Sequence, residues 1–252
     1  MNNFSKNGFS IIDVFSKKEH QSIIETITKT VNKRLNLLSK VNFQVSDLKD
    51  YHDLTLAEDI HKKVVDGSSR FIDLNNFNAS IKKNNLLTQI MDECWGHHEF
   101  RLIWVGDLNK NAIQENYATF RLARPNLSHD VVGIHCDKHV GGIKNMGEKN
   151  TLTIWVPIVG FDEKYTLNLS PGSHQYTHPD NSIEADDNYL SRTFDEDYIS
   201  KFKFYRPNLN VGQGVIFDPN LLHGKSYNLG IDTRVSIELR LFNAKKKYVF
   251  DS

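Results

Sequence analysis

The residues best placed to do chemistry crowd into one stretch, GIHCDKHVGG at 133–142. It sets His135, Asp137 and His139 within five positions, between an apolar run and a pair of glycines. Two imidazoles and one carboxylate on one face of a metal, with the other positions open, is how non-haem iron(II) oxygenases hold their metal. A His-x-acid pair is weak evidence on its own. The chain has two more, His97 with Glu99 in HHE and His178 with Asp180 in HPD. A hydrogen-bonded pair in a surface turn explains any one of them, so the elements around them must choose.

Those elements change character near Gly96. Before it, FSIIDVF (9–15) reads as a strand, and Ser16 with Glu19 makes a capping box ahead of a helix over 17–38. Ile23, Ile24, Ile27 and Val31 set the helical period of that segment. Further helices are expected over 54–66, ending at Gly67, and over 80–95, ending at Gly96. After Gly96 come EFRLIWV, NYATFRLA, DVVGIHCD, TLTIWVPIV, YTLNLSPGS, GQGVIFD and RVSIELRLF. These are short, rich in β-branched and aromatic residues, and separated by turns. Strands without intervening helices predict a mainly β protein with flanking helices: a double-stranded β-helix, or jelly-roll barrel, over 97–245 on a mainly helical support over 1–96. The polar stretch 175–208 reads as an insertion, and the whole of 1–252 as a single domain.

Composition excludes several alternatives. Lys and Arg number 31, as do Asp and Glu, so no broad electrostatic footprint for nucleic acid or an anionic membrane exists. Cys94 and Cys136 are too few for a disulfide scaffold, which suits a reducing compartment. The opening MNNFSKNGFSIIDVF lacks the apolar core of a signal peptide, and no run of about 18 apolar residues predicts a membrane span. A soluble cytoplasmic protein is expected.

In a jelly roll, His135 and Asp137 point the same way, because residues i and i+2 share a strand face. The third ligand must then come from a facing strand. His223 in FDPNLLHGKSYNLG is the natural candidate, since it follows strand-like GVIFD. Eleven residues on comes Arg234, with Ser236 on the same face of the last strand. A guanidinium and a hydroxyl so placed suit the distal carboxylate of a 2-oxoglutarate cosubstrate, which a guanidinium fork binds through paired charge-assisted hydrogen bonds.

With these motifs assembled in order, the chain resembles the phytanoyl-CoA dioxygenase family. The resemblance runs from NGFSIIDVFSKKEHQSII through HCD, TLTIWVPI, LNLSPGSH and GQGVIFDPNLLHGKSYN to RVS, or about residues 8–242. It implies iron(II) held by His135, Asp137 and His223, with Arg234 and Ser236 on the distal carboxylate of 2-oxoglutarate. Trp155 matches an inward tryptophan beside the cosubstrate, and Thr153 is assigned to the cosubstrate with it. The implied reaction consumes O2, releases succinate and CO2, and hydroxylates a small molecule. KYT replaces the usual Asn-Gly before LNLSPGSH, and Lys225 stands where a small residue is usual. Related halogenases lack the carboxylate; Asp137 is intact.

Other residues receive plainer roles. Cys136 should point into core, His174 should serve its turn, His139 should take a partly exposed polar role, and HHE and HPD should be solvated. Arg240 is a second anion contact or a barrel-mouth salt bridge. The loop 139–150, with Gly141, Gly142 and Gly147, reads as a lid. Arg121, Arg124, Lys138, His139 and Lys144 flank the proposed mouth and favour an anionic or polar substrate, unless they are only solubilising charges. Two other functions stay open: a jelly-roll binding protein without turnover, and a protein side-chain hydroxylase.

Overall fold

A computed structural model describes residues 3–39, 44–54, 58–65, 70–77, 79–105, 113–139, 148–162, 164–179 and 194–247. A short helix α1 (Phe4–Asn7) leads into β1 (Phe9–Asp13) and the long α2 (Lys17–Ser39). The capping box forms: Glu19 accepts from the Ser16 backbone N–H at 2.8 Å, and the Glu19 N–H donates to the Ser16 hydroxyl at 3.3 Å. The same carboxylate accepts from the backbone N–H of Ser80 at 3.3 Å, which ties the start of α2 to the segment 79–82. His20, Ile23, Ile27, Val31 and Leu35 form the buried stripe of α2, three or four residues apart.

The other two expected helices are shorter than their apolar patterns. In place of 54–66, a 3-10 turn at Leu48–Asp53 precedes α3 (Glu58–Val64), and Gly67 lies outside the described residues. In place of 80–95, α4 (Ala79–Lys82) and α5 (Asn85–Trp95) are separate helices. Asn84 causes the break, because its side chain accepts from the Leu87 N–H at 2.8 Å and so starts a new helix. Gly96 ends α5 in the left-handed conformation, as expected. No helix among the described residues is long and apolar enough to cross a membrane.

The strands are β2 (Phe71–Asp73), β3 (Phe100–Val105), β4 (Ile113–Glu115), β5 (Tyr117–Ala123), β6 (Thr151–Val159), β7 (Gln213–Phe217) and β8 (Arg234–Asn243), with the one-turn helix α6 (Glu196–Ile199) before β7. They form one antiparallel sheet in the order β1-β7-β6-β8-β3-β4, with β5 and β2 continuing from β8. β1 and β2 thus join the sheet, although they lie in the half expected to be helical support. The last strand is the middle one: β6 lines one edge of β8, while β5 and β3 share the other.

The facing layer is thinner than expected. DVVGIHCD and YTLNLSPGS are not strands; they contribute the isolated bridges His135↔His223, Leu169↔His223 and Leu169↔Tyr205. Asp137 begins a 3-10 turn directly after the first bridge, and Pro171 with left-handed Gly172 turns the chain after the second.

Every residue of β8 is buried, so its alternation separates two kinds of interior rather than core from solvent. Val235, Ile237, Leu239 and Leu241 pack under the helices in one cluster with Ile23, Ile27 and Leu35. Arg234, Ser236, Glu238 and Arg240 face into the barrel, where a second apolar cluster of Trp155, Leu167, Leu169, Val215 and Phe217 fills the opposite part. Replacing Leu239 by Ala should therefore cost about 2–5 kcal/mol, the usual range for a core leucine. Urea unfolding that shifts its midpoint with an unchanged slope is the expected record; an unshifted midpoint would contradict this packing.

Candidate metal centre

The site begins with a backbone pairing. His135 and His223 lie directly opposite one another and exchange both N–H···O=C bonds, each 2.9 Å. Directly opposed residues put their side chains on one face, and the two rings stand 4.3 Å apart, centre to centre. Gly224 permits this approach. At φ +117°, a Cβ there would lie 2.3 Å from the Gly133 carbonyl oxygen and 3.0 Å from His135 Nδ1.

Both rings are turned by their own chain. His135 Nδ1 lies 2.8 Å from the Gly133 carbonyl and His223 Nδ1 lies 2.9 Å from the Leu221 carbonyl. A carbonyl can only accept, so each Nδ1 carries a proton and each Nε2 is the nitrogen turned toward Asp137. Burial and the nearby His223 ring pull His135 down to about 4, against the pull of Asp137, so its imidazole is neutral at physiological pH.

Asp137 closes the set. Its Oδ1 stands 3.8 Å from His135 Nε2 and 3.6 Å from His223 Nε2. Its Oδ2 accepts from the Thr153 hydroxyl at 2.6 Å and from Arg240 Nη1 at 3.3 Å. Burial alone would raise this carboxyl, but Arg240, the two histidines and Thr153 outweigh it and hold the group well below the usual carboxylate range. The ligand atoms of His135, Asp137 and His223 lie within 4.8 Å of one another. This donor set of two imidazole nitrogens and one carboxylate oxygen fits a divalent transition metal.

Around it the inward face of β8 is paired except at one end. Arg240 Nη2 meets Glu238 Oε1 at 2.5 Å, and Arg121 Nη2 stands 3.5 Å from Glu238 Oε2. Burial pushes Glu238 up, but the two guanidiniums hold it ionised. Arg234 differs. Its Nη1 donates to the carbonyls of Tyr165 and Ser226, its buried Nε has no partner, and no carboxylate pairs with it among the described residues. Burial, with repulsion from Arg206 and Arg121, pulls Arg234 down to about 9, so it is still charged at neutral pH. Arg234, Ser236 and Trp155 line the same cavity as His135 and His223.

Several expected residues stand elsewhere. Thr153 was assigned to the cosubstrate, but its hydroxyl is taken by Asp137. Arg121 lines the cavity; Lys138 and His139 do not, and Lys144 lies outside the described residues with the proposed lid glycines. His139 instead sets its ring edge-on to Phe194 and its Nδ1 3.6 Å from Cys136 Sγ. Cys136 points away from the metal centre into a cluster with Ile134 and Leu222. Arg124 is no free charge at a mouth, because Asp130 and Glu58 bind it at 2.8 and 2.9 Å. Glu58, His129 and Asp130 also group their ligand atoms closely, but the Arg124 guanidinium already bonds to all three. Lys225, in the left-handed conformation at φ 47°, reaches out to Glu196 at 2.5 Å, along an outer cleft of about 250 Å³. Arg240 forms a salt bridge, as one expectation had it, but deep in the barrel rather than at its mouth. His174 was expected to serve its turn, but its Nε2 instead faces the Ser5 carbonyl of α1 at 3.2 Å.

His178 was expected in solvent and is 4% exposed. Tyr198 OH and the Asn220 carbonyl hold its two nitrogens, and burial, then Lys138, pull it down to about 4. Asp180 lies outside the described residues. Sequence reasoning gave Glu238 and Ser226 no role at the site. The alternation of RVSIELRLF contained the signal for Glu238, which shares the face of Arg234 and Ser236.

An antiparallel barrel with two histidines and one carboxylate converging inside it defines the class of non-haem iron proteins. The family follows from comparison: the model of the phytanoyl-CoA dioxygenase (PhyH) family matches residues 4–236, and the chain belongs to that family. By family it is an iron- and 2-oxoglutarate-dependent oxygenase, with O2 as the further cosubstrate. Among solved structures, it is similar to SnoK, a non-heme alpha ketoglutarate dependent carbocyclase from nogalamycin biosynthesis. That match has a TM-score of 0.56 at 12% identity and covers 97% of this chain and 83% of that one. EctD from S. alaskensis gives a TM-score of 0.55 at 14% identity, covering 97% and 76%. The epimerase SnoN, in complex with Fe3+, alpha ketoglutarate and nogalamycin RO, gives 0.54 at 13%, covering 98% and 83%. At these identities the likeness is one of fold. No curated protein matches the chain.

The segment leading to His135 is anchored through Asp130, whose side chain is 1% exposed. His61 Nε2 lies 3.4 Å from it, and Tyr51 OH meets His61 Nδ1 at 3.0 Å. Burial would raise the Asp130 carboxyl, but hydrogen bonds from Arg124 and His61 hold it far below its ordinary 3.8. A depressed carboxylate stabilises the fold above its unfolded pKa and loses that contribution as pH falls. Asp130→Asn should therefore cost about 3–5 kcal/mol at neutral pH, as a broken buried pair does. It should also melt with a shallower dependence on pH below about 4 than the wild type. Parallel melting curves of Tm against pH would count against the assignment.

Proposed function

We propose that this chain uses iron(II), 2-oxoglutarate and O2 to hydroxylate a small polar or anionic molecule, working as one domain in the cytoplasm. The observation that carries this reading is Arg234: a buried, charged guanidinium without a carboxylate partner among the described residues, lining the cavity that also holds His135 and His223. Burying such a charge unpaired is costly, so an anion is the complement this cavity lacks. The distal carboxylate of 2-oxoglutarate supplies it, with Ser236 beside it on the same face of β8.

His135 and His223 present Nε2 and Asp137 presents Oδ1, and these three hold the metal. When bound, the iron supplies the oxidative chemistry, splitting 2-oxoglutarate into succinate and CO2 and oxidising a C–H bond of the substrate. The chain's own part is binding, orientation and exclusion of water. Trp155, Leu167 and Phe217 make one wall of the cavity apolar. Arg121 and Glu238, side by side at the cavity, give the substrate a cation and an anion to meet, which supports a polar molecule over a bare lipid. Both cysteines are free thiols, consistent with a reducing compartment.

Replacing His135 or Asp137 by Ala should abolish iron-dependent consumption of 2-oxoglutarate while leaving the melting transition cooperative. Full iron content and turnover in both variants would remove the metal assignment. Arg234→Lys keeps the charge but loses the fork, and should weaken 2-oxoglutarate binding by about 1.5–3 kcal/mol, the value of a charge-assisted hydrogen bond. Titration calorimetry on protein loaded with a redox-inert metal checks this, and an unchanged affinity would move the anchor elsewhere.

A further inference from the structure

We infer that Thr153 and Arg240 are positioning residues that restrict Asp137 to a single metal-binding oxygen. The inference rests on the metal reading proposed above. Asp137 has two chemically equivalent oxygens, and a carboxylate can bind a metal through one or both. Here they are treated unequally. Oδ1 faces the two Nε2 atoms, while Oδ2 is held from behind by the Thr153 hydroxyl at 2.6 Å and Arg240 Nη1 at 3.3 Å. The two donors are themselves in register, Thr153 on β6 directly opposite Arg240 on β8. Glu238 fixes Arg240 in turn, Oε1 to Nη2 at 2.5 Å.

The next residue in that row is Phe217 on β7, which pairs with Thr153 and sets its ring 4.5 Å from that of His223. One transverse row of the sheet therefore supports two of the three metal-facing side chains. The consequence is chemical. A carboxylate bound through both oxygens takes two positions on the metal, leaving one fewer for a chelating cosubstrate and O2. Donors on Oδ2 keep that position free, which a generic loop carboxylate does not.

The test uses cobalt(II) as a spectroscopic stand-in, with Thr153→Val, which removes the hydroxyl at nearly constant volume, and Arg240→Met combined with Glu238→Gln, which leaves Asp137 to the bound metal and Arg121, whose side chain is 31% exposed, to solvent. Each is loaded with saturating cobalt(II), and its visible spectrum is recorded before any 2-oxoglutarate is added. Both spectra should differ from the wild type, and 2-oxoglutarate affinity should then fall about tenfold or more, the scale of effects from residues behind metal ligands. If Thr153 only touched the cosubstrate, its loss would weaken 2-oxoglutarate binding but leave the cobalt spectrum unchanged, which overturns the inference. Unchanged spectra together with unchanged 2-oxoglutarate affinity overturn it as well. His135→Ala serves as the control on the reading beneath: cobalt(II) affinity equal to the wild type there would remove the metal centre itself, a failure distinct from the other two.

Discussion

β6, β7 and β8 are locked to one another in one register from Thr151 to Pro157, Phe217 opposite Thr153 and Thr153 opposite Arg240, with a shift only beyond Pro157. Side chains in a strand alternate faces, so a slip of one residue exchanges the two faces completely. In most sheets that would swap core for solvent. Here it would carry Arg234, Ser236, Glu238 and Arg240 under the helices and push Val235, Ile237, Leu239 and Leu241 into the cavity. The helical layer enforces the register, since the stripe of α2 accepts only the apolar face. His20 adds a direct link, its Nε2 lying 2.9 Å from the Ile158 carbonyl on β6. The chemistry inside the barrel thus depends on packing outside it.

The polar interior is tolerable because its charges are matched in series. Asp137 meets Arg240, Arg240 meets Glu238, and Glu238 meets Arg121. Breaking a buried pair by removing one partner is strongly destabilising, while replacing the whole set can be neutral. Such a chain is weak evidence of stability and better evidence of a retained task. The His135–His223 backbone pairing does comparable service for the imidazoles, bringing two segments far apart in sequence to face each other across a layer held, among the described residues, by isolated bridges.

Much of this was legible in the sequence for identifiable reasons. The strict alternation of RVSIELRLF and the β-branched run TLTIWVPIV mark the two central strands, because both faces of each are buried and constrained. His135, Asp137 and His223 converge as their spacing suggested. The failures have physical causes too. DVVGIHCD has strand-like composition, but forms a β-bridge only at His135, with single backbone bonds from Lys225 to Val132 and from Phe194 to Ile134 beside it, and pairing is not a property of composition. The basic flank of the site looked like a mouth of free cations because sequence does not reveal that Asp130 and Glu58 neutralise Arg124. Thr153 looked like a residue of the cosubstrate; its neighbour Asp137 lies sixteen residues back, in a separate segment.

The central place of β8 also constrains how the chain acquires its fold. All three of its partners, β3, β5 and β6, precede it, and β1 waits for β7, with Phe9 pairing to Phe217. During synthesis the earlier strands therefore emerge with unpaired edges and no central strand to join, while the apolar stripe of α2 has no sheet to cover. Loop-closure entropy must be overcome before such distant pairings return anything, which makes folding slow and the waiting intermediate prone to association. Until residue 243 is free of the ribosome, the sheet lacks its central strand and the apolar stripe of α2 lacks the surface that covers it.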